Sequence, residues 1–501
     1  MVIKKQILFL LFVFNSFILA QQKDSVTTIT PKMNPNAISD LRNHLDDIFN
    51  DTNFSGASWG VFIKSLKTGE ILYKRNADKF FVPASNIKLF TTSAALLLLG
   101  ENYRFKTRIY AEGDIYKGTL YGNLIIQGSG DPTISNRYIA GDVDTIFNAW
   151  CDSLKKIGID KISGNILGDD DSFDEKGYGT GWMRDYEYAW FAAPSGALSF
   201  NNNVINIYIK PTSKDLPASV TIEPNVKNLY FINKVLTSDN SEKNSIQIVK
   251  NRRNDVITIK GNIGETDIPK TEYISVEDPT EYFVSVFENV IKKNSIVLDG
   301  YAIDSDKEAH AVDYSETIKL FEHKSVTLKE IIKEINKNSN NFYAEQLLKT
   351  IGFEVNNYGS IENGVKATRK IFEKMGINID NLLISDGSGL SRLNFVTPKQ
   401  IVNLLSFMYR SSNYRSFYNS LPIAGRDGTL QNRMKNTLAE NNVRGKPGLL
   451  NGVSAISGYL TTIDDEPIVY SIIANNYLVP SSLAQYLQDM VLVRLINFSR
   501  K

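Results

Sequence analysis

Ser85 and Lys88 stand three residues apart in "PASNIKLFTTSAALLLLG", residues 83–100, a run that is otherwise almost wholly apolar. On a helix, positions i and i+3 share a face. Burial penalises the charged form of a lysine and lowers its pKa. A neutral amine beside a serine hydroxyl can take its proton, which a solvated ammonium cannot do near pH 7. Ser85 falls in the first turn, where free backbone N–H groups and the helix dipole favour developing negative charge. The pair has the makings of a nucleophile and its base. The plainer alternative is a Lys88 that snorkels along its helix. S-x-x-K is also a short pattern; it recurs at Ser153 and Lys156 in "CDSLKK", where the surroundings indicate a solvated helix face.

Two later stretches carry matching groups. "NKNSNNFYAEQLL" places Ser339 and Asn341 two apart at the break between two helical runs. A short loop there can aim both into one cleft, the serine to relay a proton and the asparagine to hold a substrate amide. An Asn/Ser-rich helix connection is the alternative. "VRGKPGLLNGVSAISGYL" sets Lys446 and Gly448 at the head of a strand. The lysine can attract a substrate carboxylate, and the glycine permits close backbone approach; an ordinary turn before a strand is the alternative.

These groups need a frame. The chain has 501 residues, enough for about three domains or one large domain with insertions. With 42% hydrophobic residues it can build a sizeable core. Lys+Arg is 56 against Asp+Glu 55, which gives no basic footprint for nucleic acid or an anionic membrane. Residues 1–20, "MVIKKQILFLLFVFNSFILA", have the basic start, apolar middle and small final residue of a signal peptide. The apolar stretch is short for a bilayer span, and no later segment reads as a transmembrane helix. Cys151 is the only cysteine, which excludes an internal disulfide and a cysteine-based zinc site. His44, His310 and His323 lie in polar stretches and read as surface residues, which weakens a Ser-His-Asp scheme.

After a linker at 21–36, "AISDLRNHLDDIFN" has helical spacing, and "SWGVFIKSLKTGEILYKRN" alternates as a hairpin around Lys67-Thr68-Gly69. A buried helix is predicted from Ala84 to Leu99, closed by Gly100. Residues 101–305 are dominated by short β-rich runs and read as an inserted region of one or two subdomains, two being favoured. Helical periodicity returns at "LKEIIKEINKNSNNFYAEQLLKTIG" and "PKQIVNLLSFMYRS", and the chain ends in a hairpin and a helix. Residues 37–100 and 306–501 then form one split domain.

In this order the three stretches resemble the S-x-x-K, S-x-N and K-[ST]-G set of penicillin-binding proteins and serine β-lactamases. "GSGDPTIS", "GWMRDYEYAWFAAPSGALSFNNN", "DGSGLSR" and "LPIAGRDGTLQNRM" narrow the likeness to the D-alanyl-D-alanine carboxypeptidase/endopeptidases of the penicillin-binding protein 4 (DacB) type, peptidase family S13. The resemblance spans nearly all of the mature chain, long insertion included. It implies a multi-domain α/β fold: a transpeptidase-like domain, with an antiparallel sheet flanked by helices, interrupted by β-rich insertions. It implies that Ser85 forms the acyl-enzyme with Lys88 as general base, that Ser339 relays the proton and that Asn341 positions the substrate. Lys446 would attract the terminal carboxylate, and the N–H groups of Ser85 and Leu449 would form the oxyanion hole, with Gly448 between. The substrate would be the D-Ala-D-Ala end or a cross-link of a peptidoglycan stem peptide. No metal or organic cofactor is called for, and β-lactams would acylate Ser85. The location would be secreted, periplasmic or cell-wall associated.

One departure stands out. The family expects Thr or Ser after the lysine and a hydroxyl after the glycine, whereas this chain reads Lys446-Pro447-Gly448-Leu449. The literal Lys67-Thr68-Gly69 precedes the nucleophile in a hairpin turn and cannot serve as the third motif. Two readings follow: an active peptidase with weakened carboxylate recognition, or a peptidoglycan-binding or scaffolding homologue with little turnover. A β-lactamase is a third, against which the insertion speaks. Oligomeric state and the preference between carboxypeptidase and endopeptidase action are not encoded in these patterns.

Overall fold

The computed structural model describes residues 34–138, 141–226, 229–239, 245–251 and 256–501. The leader-like stretch and most of the linker lie outside them. Among the described residues no helix is long and apolar enough to cross a membrane.

The early hairpin forms as its alternation predicts, with Ser58–Ser65 antiparallel to Ile71–Arg75. Gly69, at φ +79°, makes the tight return. Three strands from the far end of the chain complete the sheet. Pro467–Asn475 pairs with Ser58–Ser65, Val453–Thr461 lies outside it, and Arg444–Leu450 is the edge. All pairings are antiparallel. Successive residues face opposite sides, so Phe62, Ala455 and Ile473 join one core while Val61, Ile63, Ile456 and Ile472 join another. Both faces are covered, which explains why these strands read as nearly continuous apolar runs. Ala37–Phe49 and Ser481–Ile496 cover one face. The other carries Ile87–Leu98, Leu328–Lys337, Asn341–Asn356 and Pro398–Tyr409. Every residue from Ile87 to Leu96 is buried.

The helix over 84–99 differs from its prediction at the start. Ala84–Asn86 is a single 3₁₀ turn, and the α-helix runs Ile87–Leu98. Ala84 takes a left-handed backbone, φ +47°, which no α-helix accommodates.

Between the two halves lies a second body with its own continuous core. Its main sheet contains the antiparallel hairpin Lys106–Tyr116 and Thr119–Gln127, flanked by parallel pairings to Lys161–Ile162 and Ile166–Asp169. Helices Thr145–Ile157 and Pro279–Lys293 pack on it. Two three-stranded sheets follow, one centred on Val204–Lys210 and one on Val256–Gly264. Ile318–Lys324 pairs with Lys106–Tyr116, so the chain leaves this body after residue 324 rather than at 306. A strand needs a ladder partner, and the one available to 318–324 is in the insert.

His323 departs from its surface reading for the same reason. Its strand packs beside helix Thr145–Ile157, which sets its ring 5.6 Å from that of Trp150 and its Nε2 3.8 Å from Asp131 Oδ2. His44 and His310 are exposed. Ser153 donates to Ala149 O and Lys156 is exposed, so the second S-x-x-K lies on an outer helix face.

Candidate active site

The 3₁₀ turn brings Ser85 and Lys88 together, because i and i+3 side chains align in that geometry. Lys88 Nζ donates to Ser85 Oγ at 3.1 Å, to Asn341 Oδ1 at 2.6 Å and to Ser388 O at 2.6 Å. The lysine is fully buried. Loss of solvation lowers its pKa to about 7, against the opposing pull of the Asp386 and Glu345 carboxylates. The amine is thus poised to lose its proton near neutrality.

Ser339 reaches the same point from the turn between helices Leu328–Lys337 and Asn341–Asn356. It takes a left-handed backbone, φ +58°, and Asn340 caps the second helix by accepting from Tyr343 N. Ser339 Oγ donates to Ser85 Oγ at 3.2 Å and accepts from Lys446 Nζ at 3.0 Å. Asn341 is held at both ends of its amide, since Oδ1 accepts a hydrogen bond from Lys88 Nζ and Nδ2 donates to Phe191 O at 2.8 Å.

Lys446 comes from the edge strand. It is fully buried, and its Nζ also donates to Pro447 O at 2.8 Å. Loss of solvation, and then repulsion from Lys88, hold its pKa well below the ordinary range. A buried amine whose partners are neutral gains most from an arriving anion. Asn86, one residue past Ser85, donates to Lys446 O and ties the edge strand to the 3₁₀ turn.

The edge position also accommodates Pro447. Gly445 donates its N–H to Pro422 O, away from the neighbouring strand. Backbone groups in an antiparallel ladder alternate sides, so residues 447 and 449 face that same open edge. Pro447 removes no ladder hydrogen bond, and Leu449 keeps an outward N–H. Gly448 sits against the turn that carries Ser85, where a Cβ would lie 2.8 Å from Ser85 N and 2.9 Å from Pro83 O. Only glycine lets the strand come this close. Leu449, 51% exposed, lines a cavity of ≈ 450 Å³ with Ser85, Ser339, Asn341, Tyr186, Trp190 and Phe191.

Sequence reasoning named the residues that meet here and missed what holds them. Asp386, fully buried, accepts from Gly389 N, Ser391 N, Asn394 Nδ2 and Trp182 Nε1 at 2.6–2.9 Å. Glu345 accepts from Gly387 N and Ser388 N; burial and then the neighbouring Asp386 charge raise its pKa. The two carboxylates shape the 386–391 loop so that Ser388 O meets Lys88. "DGSGLSR" is legible as a tight turn-rich loop, but nothing local says where its carbonyl points.

Residues 41–494 match the model of the D-Ala-D-Ala carboxypeptidase 3 (S13) family. A D-alanyl-D-alanine carboxypeptidase of Actinomadura sp. (strain R39) is 31% identical over 92% of this chain and 85% of its own. The carboxypeptidase DacB of Haemophilus influenzae is 28% identical over 84% of this chain and 86% of its own. The crystal structure of penicillin binding protein 4 (dacB) from H. influenzae superposes with a TM-score of 0.78 at 25% identity, covering 90% of this chain and 99% of that one.

Proposed function

The chain belongs to the D-Ala-D-Ala carboxypeptidase 3 (S13) family, and from that premise we propose that Ser85, Lys88, Ser339 and Lys446 carry a serine D,D-peptidase reaction on peptidoglycan stem peptides. The observation that supports the assignment most is the unbroken run of contacts Lys88 Nζ–Ser85 Oγ–Ser339 Oγ–Lys446 Nζ, at 3.1, 3.2 and 3.0 Å.

Neutral Lys88 removes the Ser85 proton as the oxygen attacks the carbonyl of the penultimate D-alanine. The N–H groups of Ser85 and Leu449 stabilise the resulting oxyanion; loss of one such donor costs about 10²–10³ in rate. Ser339 passes a proton to the departing amine, and water then releases the acyl group. Lys446 attracts the terminal carboxylate, whose charge offsets the burial of the ammonium. Asn341 and Gly448 hold the substrate backbone against the nucleophile. β-Lactams acylate Ser85 because their strained amide presents the same bond. The leader-like start supports an exported enzyme, periplasmic or cell-wall associated.

Labelling with a fluorescent penicillin, in the wild type and in Ser85→Ala, tests the assignment. A covalent band in the first and none in the second is the expected result, together with D-alanine release from a model pentapeptide by the wild type alone. A band that survives Ser85→Ala, or no band and no release, would refute it.

A further inference from the structure

Beyond Trp190, Phe191, Asn338 and Asn341, which line both, a second cavity of ≈ 480 Å³ adjoins the catalytic one. Its walls come from the insert strands Val204–Lys210 and Lys270–Ser275 and from the Asn338–Phe342 turn. The mechanism above does not use it.

Asn201 and Asn202 line it, and with Asn203 they form three consecutive asparagines in left-handed backbone, φ +49°, +57° and +55°. This conformation is costly outside glycine, though least so for asparagine. Asn201 and Asn203 are tied down locally. The first donates to Val204 O and Asn206 Oδ1, the second to Pro194 O and Ser199 Oγ. Asn202 lines the cavity, and its Oδ1 is buried without a hydrogen-bond partner. The strained turn thus holds Asn202 at the cavity while leaving its amide oxygen without a protein partner.

The rest of the lining indicates which ligand. Arg137 is matched by Glu334 at 2.6 Å, and Glu334 also accepts from Asn338 and Asn340. The cavity therefore offers no unmatched charge to a peptide terminus or acidic side chain. It does offer amides and hydroxyls, with Asn206 Nδ2 donating to Tyr208 Oη and Tyr208 Oη to Glu223. Tyr208, Tyr273 and Trp190 expose 36%, 42% and 58% of their surface, enough ring to lie against an apolar sugar face. A neutral molecule dense in hydroxyls and acetamido groups meets all three conditions.

We infer that this cavity is a saccharide subsite for N-acetylated amino sugars of the glycan that carries the stem peptide. The inference rests on the D,D-peptidase reading for the source of the sugar but not for the binding itself. Titration of the full chain with tetra-N-acetylchitotetraose, followed by calorimetry, tests binding without any turnover. Saturable binding is expected in the wild type, weakened at least about tenfold in Tyr208→Ala and in Asn202→Gly. Glycine suits the backbone at 202, and Tyr208 lies on an exposed strand face, so both variants retain the fold. No saturation by about 10 mM, or binding unchanged in both variants, would overturn the inference. Kinetics add a second arm: the ratio of kcat/KM for a disaccharide-linked over a free pentapeptide should be about ten or more in the wild type and near one in the variants. A wild-type ratio near one would equally overturn it. Failure of both substrates to turn over would instead count against the peptidase reading and leave the titration to decide.

Discussion

At the residue scale the candidate site holds two amines kept from water, Lys88 and Lys446. Burial pulls Lys88 down to about 7, and that depression has a consequence for stability. Between about pH 7 and the ordinary lysine range, the unfolded chain binds a proton at residue 88 that the folded chain does not. The unfolded state binds more protons, so stability rises with pH across this window. Relative to Lys88→Met, the wild type should gain up to about 1.4 kcal/mol per pH unit there in urea unfolding. A constant difference between the two proteins from pH 7 to 10 would show that Lys88 titrates normally. Lys446→Ala should spare acylation by a penicillin ester that lacks the carboxylate more than acylation by penicillin itself. Equal losses for both would assign Lys446 a role other than carboxylate attraction.

At the element scale, three close approaches build the cavity: the 3₁₀ turn, the edge strand and the 386–391 loop. Gly389 faces Ala84, where a Cβ would lie 1.9 Å from the carbonyl oxygen, and its φ is +85°. Gly389→Ala should cost about 1–3 kcal/mol and lower acylation at least about tenfold. Gly158→Ala is the matched control: φ is +91°, nothing lies within 4 Å, and Gly158 caps a helix in the insert. It should lower the thermal midpoint without slowing acylation. On the edge strand, Pro447→Thr with Leu449→Ser restores two hydroxyls and should raise turnover of a D-Ala-D-Ala peptide; unchanged or lower turnover would mean that the carboxylate is held elsewhere. Alternation and helical spacing made these elements legible in sequence, and the order of Ser85, Ser339 and Lys446 identified the residues that meet. The left-handed Ala84 and the carbonyl of Ser388 were not legible. Both are set by contacts with segments about 300 residues away, and local propensity carries no record of such partners.

At the scale of the whole molecule, the insert forms part of the wall of the candidate site. Its Trp182 Nε1 donates to Asp386, and its Phe191 carbonyl receives the Asn341 amide. Helix Asn341–Asn356 locks the two bodies together. Gln346 Nε2 donates to Gly130 O and Gly196 O, and the buried Lys349 pairs with Asp174 at 2.8 Å. Gln346→Leu would strip the donor from Gly130 O at a cost of about 1–3 kcal/mol, while Gly196 O would keep its bond from Ser199 Oγ. It should speed amide exchange on both sides of the contact and slow acylation; exchange changes confined to one body would mean that the two are coupled elsewhere. Composition and patterning put the end of the inserted region at 305. The strand at 318–324 is polar enough to pass for a linker, and only its ladder with Lys106–Tyr116 shows where it belongs.

The pH dependence of Ser85 acylation by a penicillin reads the protonation of Lys88 without requiring deacylation. With Lys88 as a neutral base, the second-order rate constant should climb about tenfold per pH unit below about 7 and level off above it. A rate flat from pH 5 to 9, or one that falls as pH rises through 7, would contradict the claim.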